Sequence, residues 1–283
     1  MTMDVNVCAC CQRRPFLQSM AALMLLPSVE AMARDGVDVG NSSLFGQLVS
    51  APDLEQSAAQ HYTHLLQQAA AQKALAGSTH PQVRRLRTIA RDFIPHALGW
   101  NVRAKNWRWE VNLIGSPQIN AFCMPGGKIV FFTGILDQLK LSTDEIATVM
   151  GHEMAHALRE HARARMGKTA ATSLGVSLLS SVMGLGQLGQ TVTNYGARLL
   201  TLQFSRGDES EADLVGMELA ARAGFDPRAG ISLWQKMAVA NKNAPPQWLS
   251  THPSGTTRIA DIQANLPKVM PLLKSSAARP NHP

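Results

Sequence analysis

Apolar and polar positions follow a helical period over the first part of the chain and a strand period after it. Residues 53–76 are rich in Ala, Gln and Leu and predict a helix, with Asp53 placed to cap it behind Pro52. Gly77-Ser78-Thr79-His80-Pro81 breaks that segment. From Pro81 to Ala97, Val83, Leu86, Ile89, Ala90 and Phe93 recur at helical spacing. Then the period becomes two: Trp107, Trp109, Val111 and Leu113 alternate with Arg108, Glu110 and Asn112, as in a half-buried strand. Asn120 to Met124 and Lys128 to Phe132 predict two further short strands joined through Pro125-Gly126-Gly127. Thr133-Gly134 leads into a short helix near Ile135 to Leu139.

Ser142, with Glu145 three residues on, predicts a capping box. One helix is expected from there to about Arg165, with Ile146, Val149, Met150 and Ala157 on its apolar side. Thr169 to Thr193 is uncharged, but its Gly, Ser, Thr and Gln residues break the continuous hydrophobicity that a membrane span requires. A helix or helical pair near the functional site, with possible peripheral membrane contact, is the reading there. Helices near Leu199 to Ala223, Pro227 to Ala240 and Thr256 to Leu266 complete the pattern, and no internal repeat is found. The fold class expected is α+β: a mainly helical domain over residues 53–275 with a small β-sheet beside its central helix. Residues 34–52 read as a flexible lead-in and 276–283 as a tail.

Composition adds limits. Of 283 residues 45% are hydrophobic, which is enough for a buried core and argues against wholesale disorder. The net charge is +7, but only Arg84, Arg85, Arg87 and Arg91 cluster, at the spacing of one solvated helix face. No nucleic-acid partner is expected. Three of the four cysteines, Cys8, Cys10 and Cys11, lie at the N-terminus, where Arg13-Arg14-Pro15-Phe16-Leu17, an apolar run from Met20 to Leu26 and Ala31-Met32-Ala33 succeed one another. These are the basic, apolar and small-residue regions of a secretory signal. The paired arginines resemble a twin-arginine signal, so residues 1–33 are expected to direct export to the periplasm. The alternative, an uncleaved anchor, meets an apolar run far shorter than the roughly 20 residues that span a bilayer. Removal of this segment leaves Cys123 as the remaining thiol.

The chemistry is concentrated in His152-Glu153-Met154-Ala155-His156. Helix residues four apart have Cβ atoms about 5–6 Å from each other on one face, so both imidazoles can meet one metal ion. Glu153 is rotated off that face and can reach a water without ligating the metal, the H-E-x-x-H logic of zinc peptidases. A catalytic zinc takes a third protein ligand. The extended metzincin motif does not supply it, because Arg159 and Ala162 stand where glycine and histidine are required. A downstream carboxylate is available in Glu209-Ser210-Glu211-Ala212-Asp213. Glu209 is the candidate ligand. Asp213, one turn further on the same face, is placed to accept from the remote nitrogen of a ligating histidine. Glu211 reads as a solvated position.

On these residues the chain resembles the zinc metallopeptidases that include HtpX-type proteases and CAAX prenyl proteases. The similarity spans roughly residues 118–262. It is carried by Asn120-Ala121-Phe122 with Pro125-Gly126-Gly127 and Thr133-Gly134; His152 to His156 with His161; Ser205-Arg206 with Glu209 to Asp213 and Gly216; and His252-Pro253 with Arg258. The resemblance implies a zincin-like domain of gluzincin type with one zinc ion (Zn2+) per chain, Glu209 as third ligand, and Glu153 as general base. It also implies that His252 reaches the metal, either stabilising an oxyanion or blocking the fourth position, and that Arg258 makes a structural or substrate-orienting contact. Clear membrane spans are absent from the pattern, so the soluble, exported members are the better match; the tetratricopeptide region that some exported members carry is absent as well. The implied substrates are unfolded or extended envelope polypeptides. Gly126, Gly127, Lys128, Ile129 and Val130 read as an edge strand to which such a peptide adds, or as an ordinary core hairpin. A chaperone-like zinc protein that binds peptides with little cleavage is the competing function. Composition says nothing about oligomeric state.

Overall fold

A computed structural model describes residues 35–182, 199, 202–243, 246–253 and 257–275. The chain divides into two units after Asp35, and all the helices and strands named below belong to the unit that starts at Gly36. The signal-like segment 1–33 and the tail 276–283 lie outside the described residues, as do residues 183–193 of the uncharged stretch.

Helices α1 (Ala51–Ala71) and α2 (Pro81–Ala97) precede three strands, β1 (Glu110–Ile114), β2 (Ala121–Met124) and β3 (Lys128–Phe132). Then come α3 (Thr133–Leu139), α4 (Thr143–Leu158), α5 (His161–Val182), α6 (Arg206–Arg222), α7 (Ala229–Asn243), the short α8 (Gln247–Thr251) and α9 (Arg258–Ser275). The fold is thus mainly helical with one small sheet. No described helix is long and apolar enough to cross a membrane.

The sheet order is β1-β3-β2, with β1 parallel and β2 antiparallel to β3. Alternation along the strands gives each face its own layer. Val111, Leu113, Ile129 and Phe131 enter the main core with Leu86, Ile89 and Phe93 of α2 and Ile146, Val149 and Met150 of α4. Ile114, Met124 and Val130 face Ala58 and Tyr62 of α1. Each such fully buried aliphatic or aromatic side chain stabilises the fold by about 1.5–3 kcal/mol relative to exposure. The β2–β3 connection places Gly126 and Gly127 at φ 84° and 77°, with Gly127 N–H donating to the Met124 carbonyl. Pro125-Gly126 at its centre is the sequence a type II turn favours. A Cβ on Gly127 would sit 2.7 Å from the Trp109 ring.

Several expectations are corrected. β3 is the central strand, hydrogen-bonded on both sides, so Lys128, Ile129 and Val130 offer no free edge. Lys128 is buried and donates to Glu110 and to the Arg108 carbonyl. The β2–β3 hairpin alternative therefore describes residues 126–130, and β1 and β2 are the edge strands of the sheet among the described residues. Helix α1 is capped by Ser50, whose hydroxyl accepts from Asp53 N–H, three residues ahead of the expected cap. β1 starts at Glu110, because Trp107 and Trp109 are occupied with each other and Trp107 donates to Glu55 at 2.8 Å. Residues 36–49, read as a flexible lead-in, carry a 3-10 helix (Leu44–Leu48) and bury Val37 and Val49. α9 continues past Leu266 through Pro267 and Pro271, which are both exposed.

The helix expected to run from Ser142 to Arg165 is two helices. α4 ends at Leu158, whose carbonyl accepts from the Asn101 amide at 3.0 Å. Glu160 then adopts a left-handed φ of 57°, uncommon for a non-glycine residue. Its carboxylate is clamped by Arg163 at 2.6 Å and Arg103 at 3.2 Å. The break turns the chain so that α5 starts with His161 beneath α4.

Candidate metal centre

α4 begins with the Ser142–Glu145 capping box and carries His152, Glu153 and His156 in the core, all at most 3% exposed. α6 begins with a second capping box, Ser205 with Asp208. The two helices cross where glycine meets glycine. A Cβ on Gly151 would lie 2.7 Å from the Gly216 carbonyl oxygen, and one on Gly216 would lie 2.7 Å from His152 N. With side chains absent at this crossing, the backbones approach closely enough for α6 carboxylates to reach α4 imidazoles.

Four side chains converge: His152, His156, Glu209 and His252. His156 Nε2 is 3.1 Å from His152 Nε2, and His252 Nδ1 is 3.3 Å from His152 Nε2. Glu209 Oε1 lies 3.0 Å from His252 Nδ1 and 3.4 Å from His156 Nε2, while Oε2 lies 3.5 Å from His152 Nε2. Donors about 2.0–2.1 Å from a tetrahedral zinc stand about 3.3–3.4 Å from one another. The observed spacing therefore fits one such ion, and imidazole nitrogens with a carboxylate suit zinc chemically.

The surroundings make the same demand. Arg258 donates to both Asp213 oxygens, at 2.5 and 2.6 Å, and to Glu209 Oε2 at 2.7 Å. Asp213 is thereby fixed as a carboxylate, and burial against its charge is outweighed by Arg258 and His152, holding its pKa below the usual range. Asp213 Oδ1 sits 3.0 Å from His152 Nδ1 and so accepts that nitrogen's proton. His152 Nε2 is left facing lone pairs of Glu209 and two other imidazoles. Burial resists charge on His152, yet hydrogen bonds to Asp213 and Glu209 prevail and raise its pKa to about 9. Burial likewise opposes the charge of Glu209, but its three histidine partners hold it far below the carboxylate range. Burial pushes His156 the other way, well below the ordinary histidine value. A converging set of acceptors thus calls for a cation, met by a proton on His152 or by a metal ion.

Glu153 points beside this cluster. Its Oε1 accepts from the indole N–H of Trp248 at 2.6 Å and lies 3.6 Å from His252 Nε2. Trp248 is fully buried, stacks on Trp234 at 5.4 Å, and Trp234 in turn lies under Arg258 at 3.7 Å. Neither Trp248 nor the five-residue helix α8 stands out in the sequence, because one turn of helix leaves no period to read. Glu211, expected to be solvated, is not: it ion-pairs with Arg159 and lies 3.5 Å from His161 Nε2. A cavity of about 410 Å3 opens over Glu153 and His156, walled by Phe122, Phe132, Leu65 and Phe204. β2, with Ala121 to Met124, forms one side of it, whereas Gly126 to Val130 do not line it. Cys123 also lines it; burial and the Glu153 charge keep its thiol protonated well above the ordinary value.

The family model of peptidase family M48 matches residues 82–266, which include every residue of this cluster. The chain belongs to peptidase family M48. Members are zinc metallopeptidases, and the donor set of this M48 chain suits that ion. Similar proteins include the mitochondrial metalloendopeptidase OMA1 of Arabidopsis thaliana, 41% identical over 150 residues, covering 53% of this chain and 30% of that one. OMA1 of Schizosaccharomyces pombe is 40% identical over 164 residues, 57% of this chain and 48% of the relative. The β-barrel assembly-enhancing protease of Escherichia coli is 30% identical over 175 residues, 58% of this chain and 36% of the relative. The matched region thus spans less than half the length of each of these relatives.

Proposed function

We propose that this chain is a zinc-dependent endopeptidase that hydrolyses extended or unfolded polypeptides. The observation that carries the reading is a buried four-donor cluster with a carboxylate, Glu153, beside it but outside the donor set. His152, His156 and Glu209 are the ligands in this reading. Bound zinc supplies a Lewis acid that polarises water and the scissile carbonyl. Glu153 accepts the proton of the attacking water and delivers it to the leaving amine nitrogen. Asp213 orients His152, and Arg258 holds Asp213 and Glu209 in register. His252 is the fourth donor of the cluster, and with an ion held by the other three its ring would have to swing aside to admit a substrate. Released, its ring can donate to the oxyanion from the same side.

β2, an edge strand among the described residues that lines the cavity, supports an extended backbone as the bound form, in place of β3. The apolar cavity walls support substrates with exposed hydrophobic side chains, as unfolded chains have. Export rests on Arg13-Arg14-Pro15-Phe16-Leu17 and the apolar run behind it. An envelope role is further supported by likeness to a protease whose name refers to β-barrel assembly. Purified, zinc-loaded protein and its Glu153→Gln variant, incubated with carboxymethylated unfolded polypeptides and read by mass spectrometry, test the activity. The variant is expected to keep zinc and to cleave about 10²–10⁴-fold more slowly. Equal cleavage by the two would sink the endopeptidase reading. Intact cellular function in the variant would favour peptide binding over cleavage.

A further inference from the structure

The two α4 histidines are held from behind in different ways. His152 Nδ1 meets a carboxylate directly, whereas His156 Nδ1 lies 2.9 Å from another imidazole nitrogen, Nδ1 of His161. His161 is 4% exposed and takes no part in the donor cluster. The left-handed turn at Glu160 brings it there: its ring is 5.0 Å from that of His156 and nearly perpendicular to it. On its far side, His161 Nε2 faces Glu211 Oε1 at 3.5 Å. Glu211 is fixed by Arg159, whose own Nη2 donates to the Gly40 carbonyl at 2.8 Å.

We propose that His161 is a positioning residue for His156, relaying Glu211 so that His156 presents a bare Nε2 to the metal. The inference rests on the zinc site proposed above. Two nitrogens 2.9 Å apart share one proton, and its owner decides what His156 shows to the cluster. If His161 Nδ1 donated, its Nε2 would turn a lone pair toward the Glu211 carboxylate. His156 would then carry its proton on Nε2, aimed at His152 Nε2 and Glu209, where a donor excludes a metal. The opposite order turns a donor, and not a lone pair, toward the carboxylate. His161 Nε2–H points at Glu211, its Nδ1 accepts from His156 Nδ1–H, and His156 Nε2 is free to ligate. Glu211 thus selects the tautomer of a ring it does not touch. Ligating imidazoles commonly give their remote proton to a carboxylate, carbonyl or water; here the receiver is an imidazole backed by a carboxylate.

Zinc affinity is the readout, measured on the full chain by competition with a chromophoric chelator. His161→Phe keeps ring volume and removes the acceptor; His161→Asn returns an oxygen near the Nδ1 position. The expected result is zinc binding about 10–100-fold weaker in His161→Phe and restored to within about threefold of wild type in His161→Asn. Glu211→Gln leaves His161 in place and is expected to weaken zinc binding by about tenfold, which keeps the test open if His161→Phe does not fold. Zinc affinities of His161→Phe and Glu211→Gln equal to wild type would overturn the inference and leave the zinc site standing. Equal losses in the Asn and Phe variants would overturn it as well, since the acceptor would then not be the cause. Wild-type protein that takes up no zinc would overturn the zinc site itself.

Discussion

The glycine pair at the α4–α6 crossing is the sharpest physical commitment of this fold. In Gly216→Ala the new Cβ would stand 2.7 Å from Gly151 C and His152 N. Both are backbone atoms in the middle of a helix, so no side-chain rotation relieves the contact. Ordinary contact starts near 3.4 Å, so α6 must move out by about 0.7 Å at this point. Asp213, one turn before Gly216, moves with it. Its 3.0 Å contact with His152 Nδ1 then stretches toward about 3.7 Å, beyond hydrogen-bond range. Glu209 is carried away from the same histidines.

Overpacking of this kind costs about 1–3 kcal/mol, and loss of an outer hydrogen bond to a ligating histidine costs about 10–100-fold in metal affinity. Gly216→Ala should therefore melt roughly 3–10 °C lower and bind zinc at least about tenfold more weakly. Calorimetry on the metal-free protein and chelator competition separate the two effects. A variant that melts lower but binds zinc as tightly as wild type would refute the claim that this crossing sets the α6 carboxylates against α4. A variant unchanged in both would refute the close approach itself.

Single contacts have consequences of their own. Arg258→Met removes the cation that pairs with Asp213 and Glu209 while filling its volume over Trp234; leaving two buried carboxylates short of a partner should cost about 3–5 kcal/mol by urea titration. A variant as stable as wild type would show the pair to be energetically neutral. Trp248→Phe deletes the 2.6 Å donor to Glu153 and keeps an aromatic ring, so stability should fall by about 1.5–3 kcal/mol while zinc affinity stays unchanged; a loss of zinc would tie Trp248 to the ligands instead. For pH, the sign is set by His152, raised to about 9 from 6.5 by burial outweighed by Asp213 and Glu209. Its stabilisation of the metal-free protein is fully present below about pH 6.5 and is lost as pH rises through about 9. Zinc binding to the folded chain must displace that proton, so apparent zinc affinity should climb about tenfold per pH unit below about pH 9 and level off above it. An affinity independent of pH across that window would show that His152 holds no extra proton to displace.

How far the sequence discloses this fold depends on how local the physics is. Two histidines four residues apart and a carboxylate with another four residues on declare a shared face whatever the rest of the chain does. Ser142 with Glu145 declares a helix start for the same reason. The sheet order is not legible, because each strand's alternation reveals which faces it buries but not which neighbours it takes. β3 reads like an edge strand until β1 is found paired along its other side. The break after Leu158 is hidden for a related reason. Glu160 carries no glycine or proline signal, and its left-handed turn is stabilised by Asn101, Arg103 and Arg163, which are remote in sequence or read as ordinary helix residues. Glu211 looks solvated because a helix face is solvated only if no other element covers it, and Arg159 and His161 cover it by way of that same break.

The break also explains why so many charges tolerate burial at the centre of a small domain. An unbroken helix from Ser142 to Arg165 would carry His161 along the α4 axis, away from His156, and leave His156 Nδ1 without a partner in the core. Turning the chain back at Glu160 completes a set of pairings around the site: Asp213 for His152, His161 for His156, Arg258 for Glu209 and Asp213, Trp248 for Glu153. A buried network that turns three imidazoles and a carboxylate toward one point has its preference for a cation built into the scaffold before any cation arrives.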